Sequence, residues 1–155
     1  MPAHLDIGRS GIERIIPHRS PFLFVDRLTG LDLENETIAG ERLVAATEPL
    51  FAGHFPGYPV YPGSLQVEMI GQLGLCLSYF LTSHRTSLGD DAAPVDVRAT
   101  RILGAAFLLP LPPDSLVEMV ARKIEADGFF ARMLGQVILD GKVTCVAIGE
   151  VVFVS

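Results

Sequence analysis

Apolar residues gather along the chain in six runs with strand character and in one long run that is apolar almost all round. Phe22–Leu31 and Thr37–Ala46 are rich in β-branched and aromatic side chains, and Asp32–Glu36 between them carries the turn signal. Four more runs fill the C-terminal part: Val95–Phe107, Ser115–Ala126, Phe129–Leu139 and Lys142–Val154. Asp127-Gly128 and Asp140-Gly141 separate the last three and predict tight hairpins. Between the two sets lies Gly53–Gly63, which holds three Gly and three Pro and predicts a rigid irregular loop. Pro62 and Gly63 then open a long helix that ends at Thr82 or Ser83, followed by a polar loop to Pro94. Near the start, Ser10 is placed to cap a short helix through Ile15. Glu13 completes its capping box and Pro17 ends it. The residues before it, His4 included, read as a mobile terminus.

Two strands, one dominant helix and four strands in hairpins make an α+β domain with one antiparallel sheet of about six strands. A helix apolar nearly all round cannot lie on an open surface. The sheet is therefore expected to curl around it, with another subunit covering the face that remains. The 155 residues suit one domain, 1–155, with a real core. Hydrophobic residues make up 49% and charged ones 19%, which excludes a disordered chain. A net charge of −6 without a run of Lys or Arg argues against nucleic-acid binding. The two cysteines, Cys76 and Cys145, have neither metal nor redox spacing and read as buried free thiols. No secretory leader opens the sequence, so the cytoplasm is expected. Leu65–Leu81 is long enough for a membrane span, but Gln66, Glu68, Gln72, Gly71 and Gly74 interrupt it.

Glu68 is the one group of that helix charged near neutrality. A carboxylate there must face a polar crevice or remain as the neutral acid, because an unpaired buried charge is costly. Gln72, one turn on, can hydrogen-bond it and fix its rotamer; Cys76 continues the stripe. A harmless Glu in a helix's first turns is the alternative. His54 sits in Gly53-His54-Phe55-Pro56-Gly57, where Gly and Pro fix the backbone and lower the entropy of holding one pose. The same loop leads onto a helix N-terminus, whose unpaired N–H groups at Gly63 or Ser64 could receive a developing oxyanion. Base, acid and N–H donors are the parts for elimination beside a thioester carbonyl. Phe55, Tyr58 and Tyr61 are candidate walls for an acyl chain. His18, between a Pro and an Arg, suits a structural hydrogen bond. No metal-ligand cluster and no nucleotide loop stands out, so no cofactor is expected.

Pro17-His18-Arg19-Ser20-Pro21-Phe22-Leu23-Phe24-Val25-Asp26-Arg27 resembles the N-terminal signature of the bacterial 3-hydroxyacyl-acyl carrier protein dehydratases. Gly53-His54-Phe55-Pro56-Gly57, then Pro62-Gly63, Glu68 and Gln72, resembles their active-site signature. The resemblance implies a hotdog fold, a homodimer or a trimer of such dimers, and sites in which His54 of one subunit faces Glu68 of the other. It implies dehydration of a (3R)-3-hydroxyacyl thioester, on acyl carrier protein or coenzyme A, to the trans-2-enoyl thioester, as in fatty-acid biosynthesis. Glu68, where the bifunctional dehydratase–isomerases carry Asp, favours the plain dehydratase. Two departures stand out. Ser64 replaces an apolar residue, and Ala105–Asp114 lacks the basic residues the family tends to show there. Carrier docking would then fall to Arg98, Arg101, Arg122 and Lys123, and a specialised pathway stays open. A hotdog thioesterase using Glu68 to activate water, and a silent carrier-binding subunit, are the alternatives.

Overall fold

The computed structural model describes residues 1–154. Its elements are β1 (Ala3–Gly8), α1 (Arg9–Ile12), β2 (Arg27–Asp32), β3 (Thr37–Val44), a 3-10 turn (Pro49–Ala52), α2 (Gly63–Ser83), β4 (Val97–Phe107), β5 (Ser115–Ala126), β6 (Phe130–Leu139) and β7 (Lys142–Phe153). All strands join one antiparallel sheet of seven, in the order β1-β2-β3-β5-β6-β7-β4. The sheet wraps α2, as in the hotdog arrangement.

Period-two alternation aims Ile38 of β3, Val117, Met119 and Ala121 of β5, Met133 and Val137 of β6 and Ala147 of β7 at the helix. From α2 they meet Met69, Ile70, Leu73, Leu77 and Phe80, all buried. The approach is close enough to need glycine on β6: a Cβ at Gly135 would come within 2.3 Å of Ile70. Both Asp-Gly hairpins form. Asp127 Oδ1 accepts from the N–H groups of Phe129 and Phe130 at 2.7 and 2.9 Å, and Asp140 and Gly141 take φ of 50° and 77°. Cys76 and Cys145 are free and buried, and loss of solvent pushes their thiols up to about 12 and about 11. Among the described residues no helix is long and apolar enough to cross a membrane.

Three expectations near the N-terminus need correction. The terminus is a seventh strand: Ala3, Leu5 and Ile7 pack on the core while His4 and Asp6 point outward, and His4 pairs with Gly30 across β2. The short helix is a single turn from Arg9, entered through Gly8, and Ser10 makes no capping bond. Ile12, Ile15 and Ile16 are all buried, so packing holds the segment where a cap was expected to. Finally, the strand expected from Phe22 begins only at Arg27. Leu23, Phe24 and Val25 are buried and look strand-like in sequence, but the Gln72 side chain on α2 takes the backbone bonds a neighbouring strand would take.

β4 stands apart from the other strands. It pairs with β7 on one side only, and nearly every residue from Arg98 to Phe107 is exposed, Ile102, Leu103 and Phe107 among them.

Candidate active site

The predicted site residues fall into two crevices of the same chain. The first lies at the start of α2. It has a volume of about 500 Å³, and His54, Gly63 and Ser64 share it with Gln66 and the segment Phe107–Leu111. Pro62 caps the helix without a side-chain bond, and the first helical bonds run from Leu65 and Gln66 to the Pro62 carbonyl. Among the described residues the N–H groups of Gly63 and Ser64 have no acceptor. They line the same crevice as His54, and free N–H groups at a helix N-terminus can receive negative charge. Gly63 is also sterically committed: a Cβ there would come within 2.6 Å of the Phe107 ring.

The loop holds the His54 ring firmly. Its Nδ1 lies 2.7 Å from the Val60 carbonyl oxygen, which can only accept, so Nδ1 carries the hydrogen and neutral His54 presents the Nε2 lone pair. The Val60 N–H donates back to the His54 carbonyl at 2.9 Å, and Phe55 and Tyr58 exchange two backbone bonds around Gly57, whose φ is 75°. The Phe55 ring stacks on the imidazole at 4.2 Å. The peptide bonds Ser20–Pro21 and His54–Phe55 are cis.

The aromatic wall divides differently from expectation. Phe55 and Tyr58 are 52% and 67% exposed, at the rim of the loop. Tyr61 is 2% exposed, packs in the core and lines the crevice as well. Its hydroxyl accepts a 2.5 Å bond from Arg42, a buried guanidinium of β3 that also binds Glu48 and stacks on the Phe24 and Tyr61 rings. Burial pushes the Tyr61 phenol up, and Arg42 opposes it. The sequence holds no local sign of this cluster, because Phe24, Arg42, Glu48 and Tyr61 come from separate segments of the chain.

The second crevice lies farther along α2. Two hollows of about 150 and 250 Å³ meet at Glu68, sharing Gly71 and Leu75 of the helix, Ala99 of β4 and Val151 of β7. Gln72 is fully buried and held on both sides: its Oε1 accepts from Phe24 N–H at 2.8 Å and its Nε2 donates to the Phe22 carbonyl at 2.9 Å. The same Nε2 donates to Glu68 Oε1 at 3.0 Å. The expected support for the carboxyl is therefore present. The expected burial is not supplied by this chain alone, since the Glu68 side chain is 34% exposed. His54 and Glu68 do not share a crevice within one protomer.

Three of the four candidate docking cations have acidic partners. Arg98 pairs with Asp96 at 3.2 Å, Arg101 with Glu150 at 2.9 Å, and Lys123 with Glu36. Arg122 has no acidic partner among the described residues. Among those residues, too, no group of His, Cys, Asp and Glu is disposed to hold a metal ion.

Comparison with known proteins gives the chain its relatives. The model of the FabA-like domain matches residues 16–148. A 3-hydroxyacyl-acyl-carrier-protein dehydratase FabZ of Xanthomonas euvesicatoria is 35% identical over 147 residues, 91% of this chain and 93% of the relative. A FabZ of Xanthomonas oryzae is 33% identical over 156 residues, 96% and 98% of the two chains. Among solved structures, the dehydratase heterocomplex ApeI:P of Xenorhabdus doucetiae superposes with a TM-score of 0.70, covering 93% of this chain and 91% of that one at 14% identity. A thioesterase of Haemophilus influenzae reaches 0.59, with 83% and 78% covered at 14% identity. The structural likenesses speak for the fold alone, whereas the sequence matches span nearly the whole chain: it belongs to the FabA-like domain family.

Proposed function

We propose that the protein dehydrates a 3-hydroxyacyl thioester carried on acyl carrier protein, at sites built from two copies of the chain. The observation that carries this reading is the course of β4. Its first residues, Val97 and Ala99, line the Glu68 crevice, and its last, Phe107, lines the His54 crevice. An unpaired strand edge is a template for another strand. Two β4 strands pairing antiparallel about a two-fold axis set the first end of one beside the last end of the other. That brings Glu68 of one subunit toward His54 of its partner and supplies the cover that Glu68 lacks.

In such a site the Nε2 lone pair of His54 takes the proton from C2. The electron pair of the C2–H bond becomes the C2–C3 π bond, while Gly63 and Ser64 N–H groups hold the negative charge gathering on the thioester oxygen. The C3–O bond breaks toward oxygen, and Glu68 protonates the departing hydroxyl as water. Each proton-transfer group contributes about 10²–10⁴-fold. None of these steps calls for a cofactor.

Incubation with a 3-hydroxyacyl carrier thioester separates this reading from a thioesterase. Appearance of enoyl absorbance with the thioester intact is the expected result, whereas release of free thiol without enoyl product would replace dehydration by hydrolysis.

A further inference from the structure

His18 is the polar group that the fold leaves unexplained. Its Nδ1 is buried and has no hydrogen-bond partner among the described residues. A buried polar atom left unpaired is destabilising, so a histidine kept only for packing would be expected to satisfy its ring or give way to an apolar residue. The structural hydrogen bond that the sequence suggests for it is absent. Its ring approaches the Glu68 carboxyl, with Nε2 3.6 Å from Oε1. The two line the same hollow, together with Gly71, Val95 and Arg98, and Arg98 is paired with Asp96.

The segment is placed with care for a residue that makes no bond of its own. Arg19 donates to the His18 carbonyl at 2.7 Å, to that of Ile16 at 3.0 Å and to that of Glu13 at 2.9 Å. The Phe22 ring stacks beside the imidazole at 6.4 Å. These contacts fix where the ring stands without using either nitrogen.

We propose that His18 is a positioning residue for Glu68, an inference that rests on the dehydratase reading. Gln72 already donates to Oε1, and its own orientation is set by Phe22 and Phe24. His18, with its hydrogen on Nε2, aims a second donor at the same oxygen. The tautomer leaves Nδ1 as an empty acceptor, which is the more tolerable unpaired state, since under-satisfied acceptors are commoner than orphaned N–H groups. Once that second donor is within reach, Oε1 accepts from two sides and the acidic hydrogen resides on Oε2, the oxygen free to face the 3-hydroxyl. At 3.6 Å the His18 contact is longer than a hydrogen bond in the single chain, and the role requires it to shorten in the working site.

The role predicts an effect confined to departure of the leaving group. In purified wild-type protein and variants, elimination is measured on a 3-hydroxyacyl thioester and on its 3-fluoro counterpart, whose leaving group depends less on protonation. Glu68→Gln provides the reference: it slows the hydroxy substrate far more than the fluoro one. His18→Leu is expected to lower kcat on the hydroxy substrate about tenfold, with KM and the fluoro substrate little changed. His18→Gln, whose amide reaches about as far as Nε2, is expected to restore most of the loss. His18→Asn, whose shorter amide does not reach, takes the place of His18→Leu if that variant does not fold. Equal slowing of both substrates, or no slowing, overturns the proposal, as does a folded His18→Gln that is as poor as His18→Leu. If Glu68→Gln itself leaves the hydroxy substrate untouched, it is the dehydratase assignment of Glu68 that fails.

Discussion

Two carboxylates of this fold, Glu150 and Glu68, are surrounded in opposite ways. Glu150 on β7 accepts from Arg101 through two nitrogens at 3.1 and 2.9 Å, from Arg132 at 3.0 Å and from Thr100 at 3.3 Å. Arg101 and then Arg132 hold its carboxyl down at about 2. Glu68 receives one hydrogen bond, from Gln72, and leaves an oxygen open to a crevice. A carboxylate saturated with donors is part of the scaffold and cannot easily exchange a proton. One that is oriented but left incomplete keeps an oxygen free for a further partner. Burial alone does not mark the group with a vacancy, since the more buried of the pair, Glu150, is the one with none.

The contrast breaks most visibly under substitution. His54→Ala and Glu68→Gln are each expected to reduce kcat by about 10²–10⁴ while circular dichroism and melting stay close to wild type. Glu150→Gln is expected to do the reverse, with kcat near wild type and a lower unfolding midpoint. Because the folded-state value of Glu150 lies below that of the unfolded chain, its stabilisation is complete above pH of about 4.5 and fades as pH falls toward about 2. Denaturant midpoints of the two proteins should therefore converge through that window. Equal midpoints at neutral pH, or a Glu150→Gln enzyme as dead as Glu68→Gln, would erase the distinction.

A smaller effect sharpens the idea that Glu68 is completed from outside. Mixing His54→Ala with Glu68→Gln under conditions that exchange subunits should restore about one quarter of wild-type activity, because half the dimers are hybrids and each holds one intact site. No recovery despite hybrid formation, shown by native mass spectrometry, would place both residues in a single chain. The smallest effect concerns carrier docking. Arg98→Ala and Arg122→Ala are each expected to raise KM for a carrier-bound substrate by no more than about fivefold and leave kcat alone. Added salt should amplify KM for the carrier substrate and spare a small thioester, and an equal response of both would remove these residues from the docking surface.

The elements set by local chemistry could be read from the sequence: α2 from its apolar run, the hairpins from Asp-Gly, and the Glu68–Gln72 contact from one helical turn. His54, Gly63 and Ser64 also come together because a short stiff loop joins them. What escaped detection depends on partners distant in the chain. Phe22–Val25 has strand composition, yet its backbone is claimed by a glutamine on the helix. Tyr61 lines the crevice beside His54, but the partner of its hydroxyl, Arg42, lies on another strand and leaves no local sign. His18 meets Glu68 only once the sheet has curled. β1 escaped for a different reason: three alternating apolar residues are a short signal, and only pairing with β2 gives them an inside.

The contact between Gly63 and the Phe107 ring has a consequence for how this chain can diverge. No side chain fits at 63 while that ring stays where it is, since even a methyl carbon would sit 2.6 Å from it. Filling position 63 therefore requires the exposed Phe107 ring to swing aside or to give way to a smaller residue, so the two positions constrain each other. Each move also disturbs something else, because 63 opens the helix beside His54 and 107 ends β4, one of the two edge strands. A change at either end of this contact is thereby felt at the other, so the crevice beside His54 and the exposed end of β4 are mechanically coupled.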